Sequence, residues 1–228
     1  MATVILVRHG RTSANATGTL AGRTPGVRLD ETGVGQARRT AERLVPVPLA
    51  GVVSSPLERC KQTAREILRA RPEDSPGVPL STDKGLVECD YGDWQGSLLK
   101  DLAKEPLWST VQSQPSAVTF PGGESMAAMQ ARVVGAVRRH DAAVTASHGD
   151  LIKAVLADAL GMHLDLFQRI TVDPASVSIV RYTGSRPYVV ASNTHAGDLS
   201  WMAPRPEEEG ADAGSAEDAA VGGGAGPA

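Results

Sequence analysis

Arg8-His9-Gly10 follows directly on the apolar run Val4–Val7, which sets a guanidinium and an imidazole at the end of a β-branched and aliphatic stretch. Continuous apolar residues of this kind suit a strand buried on both faces of a parallel sheet. In open α/β sheets, ligands bind beyond the carboxyl ends of such strands. Arginine grips a phosphate through two parallel hydrogen bonds, and a neutral imidazole nitrogen is basic enough to attack phosphorus near pH 7. Gly10 lets the backbone turn tightly after the pair. A second imidazole stands in Ser147-His148-Gly149, again after an apolar run, and Gly149 opens a helical pattern whose first amides favour an anion. The chemistry these residues suggest is phosphoryl transfer, with His9 as nucleophile and His148 as a hydrogen-bond donor to the transferring group. The other nitrogen of His9 is expected to donate to a backbone carbonyl of the following turn, fixing its tautomer.

Phosphoryl transfer needs a nucleophile, positive charge on the equatorial oxygens, an acid for the leaving group and control of water. The sequence has no carboxylate cluster with metal-ligand spacing and no glycine-rich phosphate loop with lysine. No metal and no cofactor is therefore expected, and side chains must supply the positive charge. Cys60 and Cys89 offer no disulfide framework and, with the five histidines, no zinc spacing.

Several segments occur in a telling order: Arg8-His9-Gly10-x-Thr12-x-x-Asn15, then Ser54-Ser55-Pro56-Leu57-x-Arg59-x-x-Gln62-Thr63-Ala64, then Leu86-x-Glu88 with Gly92-x-Trp94-x-Gly96, and Ser147-His148-Gly149. Over residues 4 to about 195 the sequence resembles the histidine phosphatase superfamily, the phosphoglycerate-mutase-like enzymes. The resemblance implies that Arg8, Arg59 and His148 hold the phosphoryl group, with Asn15 adding a neutral donor and Gly149 an amide. It also selects Glu88 as general acid, and later as the base that activates water against phospho-His9. Composition alone does not choose Glu88 over Asp83, Asp90 or Asp93. A carboxyl that faces a dianion and is shielded by Trp94 would have the raised pKa that an acid catalyst requires.

Departures from the family pattern are Arg11 where relatives commonly carry Glu, Ala21 before Gly22 where many phosphatases carry Gln, and Gln95 where many carry Glu. Mutases resembling phosphoglycerate mutase have a longer insertion after the acid segment, with paired arginines for the substrate carboxylate. Here Ser97–Phe120 is short, has no arginine and offers Lys100 and Lys104. The expected function is a metal-independent phosphomonoesterase of the phosphatase-type branch, acting through a phosphohistidine on a small phosphorylated metabolite. The alternatives are a cofactor-dependent phosphomutase of the phosphoglycerate mutase type and, from another class, a non-catalytic phosphoryl-ligand binding protein.

The elements that must position these residues alternate along the chain. A helical pattern runs from Asp30 to Val45, where Pro46 ends it, and Leu49–Val53 reads as a strand. Ser55 as N-cap and Pro56 at the first position predict a helix to about Ala70. Pro72–Pro79 reads as a loop, residues 80–96 as a short strand and turns, Leu98–Ala103 as a short helix and Pro115–Gly123 as a break. Glu124–Arg139 is helical by spacing, Ala142–Ala146 a strand and Gly149–Leu160 a helix. Ser176–Tyr182 and Tyr188–Ser192 read as two strands of a hairpin. The fold class implied is α/β: a three-layer, doubly wound, mostly parallel sheet with helices on both faces and an antiparallel edge hairpin.

The 228 residues suit one α/β domain, here 1–203, followed by an acidic Gly/Ala/Pro-rich tail, 204–228, expected to be disordered. With aromatic residues at 4%, the core must come from Val, Leu, Ile and Ala. The tail's six acids and one arginine make −5 of the total −3, which leaves +2 for the domain. That balance suits a small anionic substrate, but no basic stripe is present, so no nucleic acid is expected. No apolar run reaches the ~18 residues of a membrane span, and the N-terminus has no signal-peptide pattern. A cytoplasmic protein without a membrane partner is expected, with a homodimer left open. His140, His163 and His195 have no catalytic spacing; His195 with Asn193 resembles a family turn and reads as structural.

Overall fold

The computed structural model describes residues 2–72, 77–140, 143–184, 186–197, 199 and 202. In chain order its strands are β1 (Ala2–Arg8), β2 (Gly51–Ser54), β3 (Leu80–Thr82), β4 (Ala143–Ser147), β5 (Val177–Thr183) and β6 (Arg186–Thr194). Its helices are α1 (Ser13–Thr17), α2 (Glu31–Leu44), α3 (Glu58–Arg69), α4 (Leu99–Leu102), α5 (Pro106–Ser113), α6 (Met126–Val137) and α7 (Gly149–Ala159). Single 3-10 turns occupy Lys84–Leu86, Gly92–Trp94, Pro115–Ala117 and Leu164–Arg169.

The sheet order is β3-β2-β4-β1-β5-β6. β3, β2, β4 and β1 run parallel, while β5 lies antiparallel beside β1 and β6 antiparallel beside β5 at the edge. Along β1 the side chains alternate. Val4 and Leu6 enter a core with α6 and α7, whereas Ile5 and Val7 enter a second core with α2 and α3. This alternation explains the unbroken apolar run: both faces of the strand are covered, so both must be apolar. The α/β class, the two helix layers and the antiparallel hairpin agree with the sequence reading. The tail at 204–228 and Ala142 lie outside the described residues, as does part of the predicted loop at 72–79.

Helix starts follow from local chemistry. Asp30 caps α2 by accepting from Gly33 N at 2.7 Å, and Ser125 caps α6 through Ala128 N. The helix predicted from Ser55 and Pro56 instead starts at Glu58, with Leu57 as an N-cap that makes no side-chain bond. The Ser55 hydroxyl lies 2.8 Å from His148 Nε2 and also accepts from the Leu57 amide at 3.4 Å, a long contact just ahead of the first helical residue. Two helices were not legible in the sequence. In α1 a capping box joins Thr12 and Asn15; α5 begins on Pro106 within a stretch of weak periodicity.

Candidate active site

Strand register builds the site. Arg8 pairs with Ser147 across β1 and β4, and Ser54 with Ala146 across β2 and β4. The residues that follow, His9, His148 and Ser55, therefore leave the sheet side by side. The His9 amide donates to Ser147 O at 3.0 Å and the Ser55 amide to Ala146 O at 2.9 Å. The two imidazoles meet edge to face with ring centres 5.3 Å apart.

His9 is buried, with Nδ1 2.8 Å from Gly10 O. That is the turn carbonyl expected from the sequence. With Nδ1–H donating there, the lone pair resides on Nε2, which accepts from Arg59 Nε at 3.3 Å. Burial, then the charges of Arg59 and Arg8, hold the His9 pKa well below its ordinary value. The ring is neutral at physiological pH, with its lone pair held by the Arg59 guanidinium. Gly10 is required here because a Cβ would lie 2.3 Å from Gly33 O.

Arg59 occupies the second position of α3 and is 2% exposed. Its Nη2 donates to Gly22 O at 2.7 Å and lies 4.0 Å from Glu88 Oε2. Arg8 donates from Nη1 to Val172 O at 2.6 Å. Gly149 leaves room for it, since a Cβ there would sit 3.3 Å from Arg8 Nε. Arg8 Nε and Arg59 Nη1 are buried without a hydrogen-bond partner. Each unmet donor costs about 1–3 kcal/mol, and both belong to cavity-lining arginines, so each is a donor that an oxygen acceptor would satisfy.

Glu88 is buried, with Oε1 accepting from Cys89 N at 3.0 Å and Oε2 lying 3.4 Å from His148 Nδ1. Burial, reinforced by the charge of Asp150, pushes its pKa up to about 7 against the opposing pull of Arg59. The ring beside this carboxyl on the cavity wall is Tyr91, whereas Trp94, expected to shield it, packs into an aromatic cluster with Phe120 and Trp108. The competing acids are engaged elsewhere. Asp83 meets Arg139 and His140, Asp90 meets Arg23, and neither they nor Asp93 line the cavity.

The cavity holds about 390 Å³, and His9, Arg8, Arg59, Asn15, Glu88 and Gly149 all line it. Asn15 Oδ1 accepts from the Thr12 amide and hydroxyl, which leaves Nδ2 as its donor. His148 is fully buried behind the wall, its nitrogens flanked by Ser55 and Glu88, and burial holds its pKa well below the usual value. Cys60 Sγ lies 3.4 Å from His148 Nε2, with burial pushing the thiol up to about 12.

Sequence reasoning missed Tyr91, Asp150 and Lys153 on the wall. The Tyr91 hydroxyl donates to Asp150 at 2.8 Å, and Lys153 lies 3.5 Å from the same carboxylate. Asp150 directly follows His148-Gly149, a spacing that could have flagged it. The Val172 carbonyl carries no sequence signal, because every residue has one. The departures have partners of their own: Arg11 pairs with Asp30 at 2.8 Å, and Gln95 accepts from the Arg23 amide. Among the described residues no group of three or more His, Cys, Asp or Glu is placed to hold a metal ion.

The sequence profile of the histidine phosphatase superfamily (branch 1) matches residues 4–195. The chain belongs to this superfamily. Phosphoserine phosphatase 1 of Hydrogenobacter thermophilus is 31% identical over 210 residues, covering 87% of this chain and 96% of that protein. The 2,3-bisphosphoglycerate-dependent phosphoglycerate mutase 2 of Gloeobacter violaceus is 29% identical over 183 residues, 76% of this chain and 82% of that one. Among solved structures, a mycobacterial glucosyl-3-phosphoglycerate phosphatase in complex with VO3 superposes with a TM-score of 0.75 at 25% identity, covering 85% of this chain and 99% of that chain. Superfamily members are phosphatases or phosphomutases, so the match leaves both activities on the table.

Proposed function

We propose that the protein is a phosphomonoesterase that acts without metal through a phosphohistidine on His9, with a small phosphorylated metabolite as substrate. The observation that carries this reading is the pair of unmet buried donors, Arg8 Nε and Arg59 Nη1, on residues that line one cavity with His9, whose Nε2 lies 3.3 Å from Arg59 Nε. Arg8, Arg59 and Lys153 line the cavity with Asp150 and with Glu88, whose pKa is pushed up to about 7, so the site has excess positive charge suited to a phosphate dianion.

In the first step His9 Nε2 attacks phosphorus, the N–P bond forms and the P–O bond to the leaving group breaks. Arg59 Nε, now on Nε2, turns to a phosphoryl oxygen, and protonated Glu88 gives its proton to the departing oxygen. In the second step the Glu88 carboxylate takes a proton from water, whose oxygen attacks phosphorus and releases His9 and phosphate. His148, between Ser55 and Glu88, orients the carboxyl from behind the wall.

Hydrolysis is favoured over mutase chemistry by the charge on the wall. Among the described residues, the lining beyond Arg8 and Arg59 has one cation, Lys153, and Asp150 pairs with it. A substrate carboxylate thus lacks the free cation that a phosphoglycerate mutase reaction calls for. The test is hydrolysis of phosphomonoesters with and without EDTA, run beside phosphoglycerate mutase turnover. EDTA-resistant hydrolysis that exceeds phosphoryl exchange between phosphoglycerates is expected; the reverse ratio would overturn the reading.

A further inference from the structure

Among the described residues, two non-glycines adopt left-handed backbone, Ala175 at φ 58° and Asn193 at φ 54°. Such conformations are uncommon outside glycine and persist where surrounding structure over-determines them. Both lie on one device next to the site. The segment before β5 is stitched to the end of β1: Ala175 N donates to Arg8 O and His9 O, and Arg8 N donates to Ser176 O. Thr40 Oγ1 donates to Ala175 O at 2.6 Å.

The Val172–Asp173 peptide unit is gripped at both ends. Its N–H donates to Asn193 Oδ1 at 2.7 Å, and its carbonyl accepts from Arg8 Nη1 at 2.6 Å. Asn193 Nδ2 returns a bond to Asp173 Oδ2 at 2.9 Å, where His195 Nε2 also lies at 3.0 Å. The left-handed turn at Asn193, whose own amide donates to Ser178 Oγ at 3.1 Å, aims its side chain from β6 across β5. A peptide plane held by its N–H cannot rotate its carbonyl, and the carbonyl sets one edge of the Arg8 guanidinium. Gly149 also lies against this group, since a Cβ there would come within 3.3 Å of Arg8 Nε.

We propose that Asn193, reciprocally bonded to Asp173, is a positioning residue that fixes the Arg8 guanidinium through the Val172–Asp173 peptide. The inference rests on the proposed role of Arg8 in holding a phosphoryl group. Asn193 touches neither substrate nor reacting atoms; it acts by keeping Arg8 Nε where the phosphate must find it. It also accounts for a motif that reads from sequence as a plain structural turn.

The test uses the full chain, with orthophosphate affinity by calorimetry and kcat/KM on p-nitrophenyl phosphate. Asn193→Gly keeps the left-handed backbone and removes only the amide. It should weaken orthophosphate binding and lower kcat/KM by about tenfold, the scale of one displaced charge-assisted hydrogen bond. In an Arg8→Ala background the same change should have less than about a twofold effect, because the group it positions is gone. Equal losses in both backgrounds, or no loss in the wild-type background, would overturn the proposal.

A donor–acceptor swap covers the case in which Asn193→Gly does not fold. Asn193→Asp alone sets two carboxylates against each other and should lose affinity, whereas Asn193→Asp with Asp173→Asn restores the reciprocal bonds and should recover it. A swap that restores neither folding nor affinity contradicts the proposal. Wild-type protein with no orthophosphate affinity and no hydrolysis would instead overturn the functional reading, and this inference with it.

Discussion

Glu88 is an acid made by its surroundings, and two predictions test it. As a proton donor it matters most where the leaving group is poor. Glu88→Gln should slow phosphorylation of His9 by an alkyl phosphate by ~10²–10⁴-fold and by p-nitrophenyl phosphate far less. Equal losses would reduce Glu88 to a positioning group. Its folded pKa of about 7 exceeds the 4.5 of a free glutamate, so its contribution to stability is present below about pH 4.5 and fades as pH rises through 7. Glu88→Gln should therefore be more stable than wild type at pH 8, by up to about 3 kcal/mol, and equal to it at pH 4. Thermal unfolding at the two pH values checks the sign. Sequence alone singled out His9 and a backbone carbonyl of the following turn, without saying which; the fold supplies Gly10 O. Arg59 and Glu88 came from resemblance, since an arginine on a basic helix and one acid among four have no local distinguishing mark. His148 was placed by its strand, but its full burial behind the wall depends on Ser55 and Glu88, which arrive from remote segments.

At the scale of elements, the site exists because strand ends meet and glycines let backbone approach. Gly149 is the first residue of α7, and its missing Cβ admits Arg8. Gly149→Ala should weaken orthophosphate binding by about tenfold through that contact, with folding stability held or raised because alanine favours helix by up to ~1 kcal/mol. Calorimetry and melting temperature separate the two effects; unchanged affinity would show that Arg8 has room to move. Strands and long helices were legible because apolar period and caps agreed, as at Asp30 and Ser125. The start of α3 falls at Glu58 rather than Pro56, and the Ser55 hydroxyl is shared between the Leu57 amide and His148, a remote partner with no local sequence mark. α1 was missed because five residues give no periodicity, and its Thr12–Asn15 box was read as site chemistry alone.

For the whole molecule, alternation of apolar runs with helical spacing sufficed for the three-layer class, and the register that brings His9 beside His148 lay beyond it. All described lining residues fall between Arg8 and Val172, and the buried Leu199 belongs to the core under α2 and α3. Removing residues 204–228, an acidic Gly/Ala/Pro-rich stretch with little apolar area to bury, should leave kcat within about twofold and the melting temperature within a few degrees. A tail-dependent loss in either would make those residues part of the working unit.

The central claim is that His9 carries the phosphoryl group. Rapid-quench labelling with a ³²P-phosphomonoester, followed by acid and base treatment and peptide mapping, tests it directly. The account predicts an acid-labile, base-stable label on the peptide containing His9 that is absent from His9→Ala. A label that survives in His9→Ala, or that maps to a serine, would contradict it.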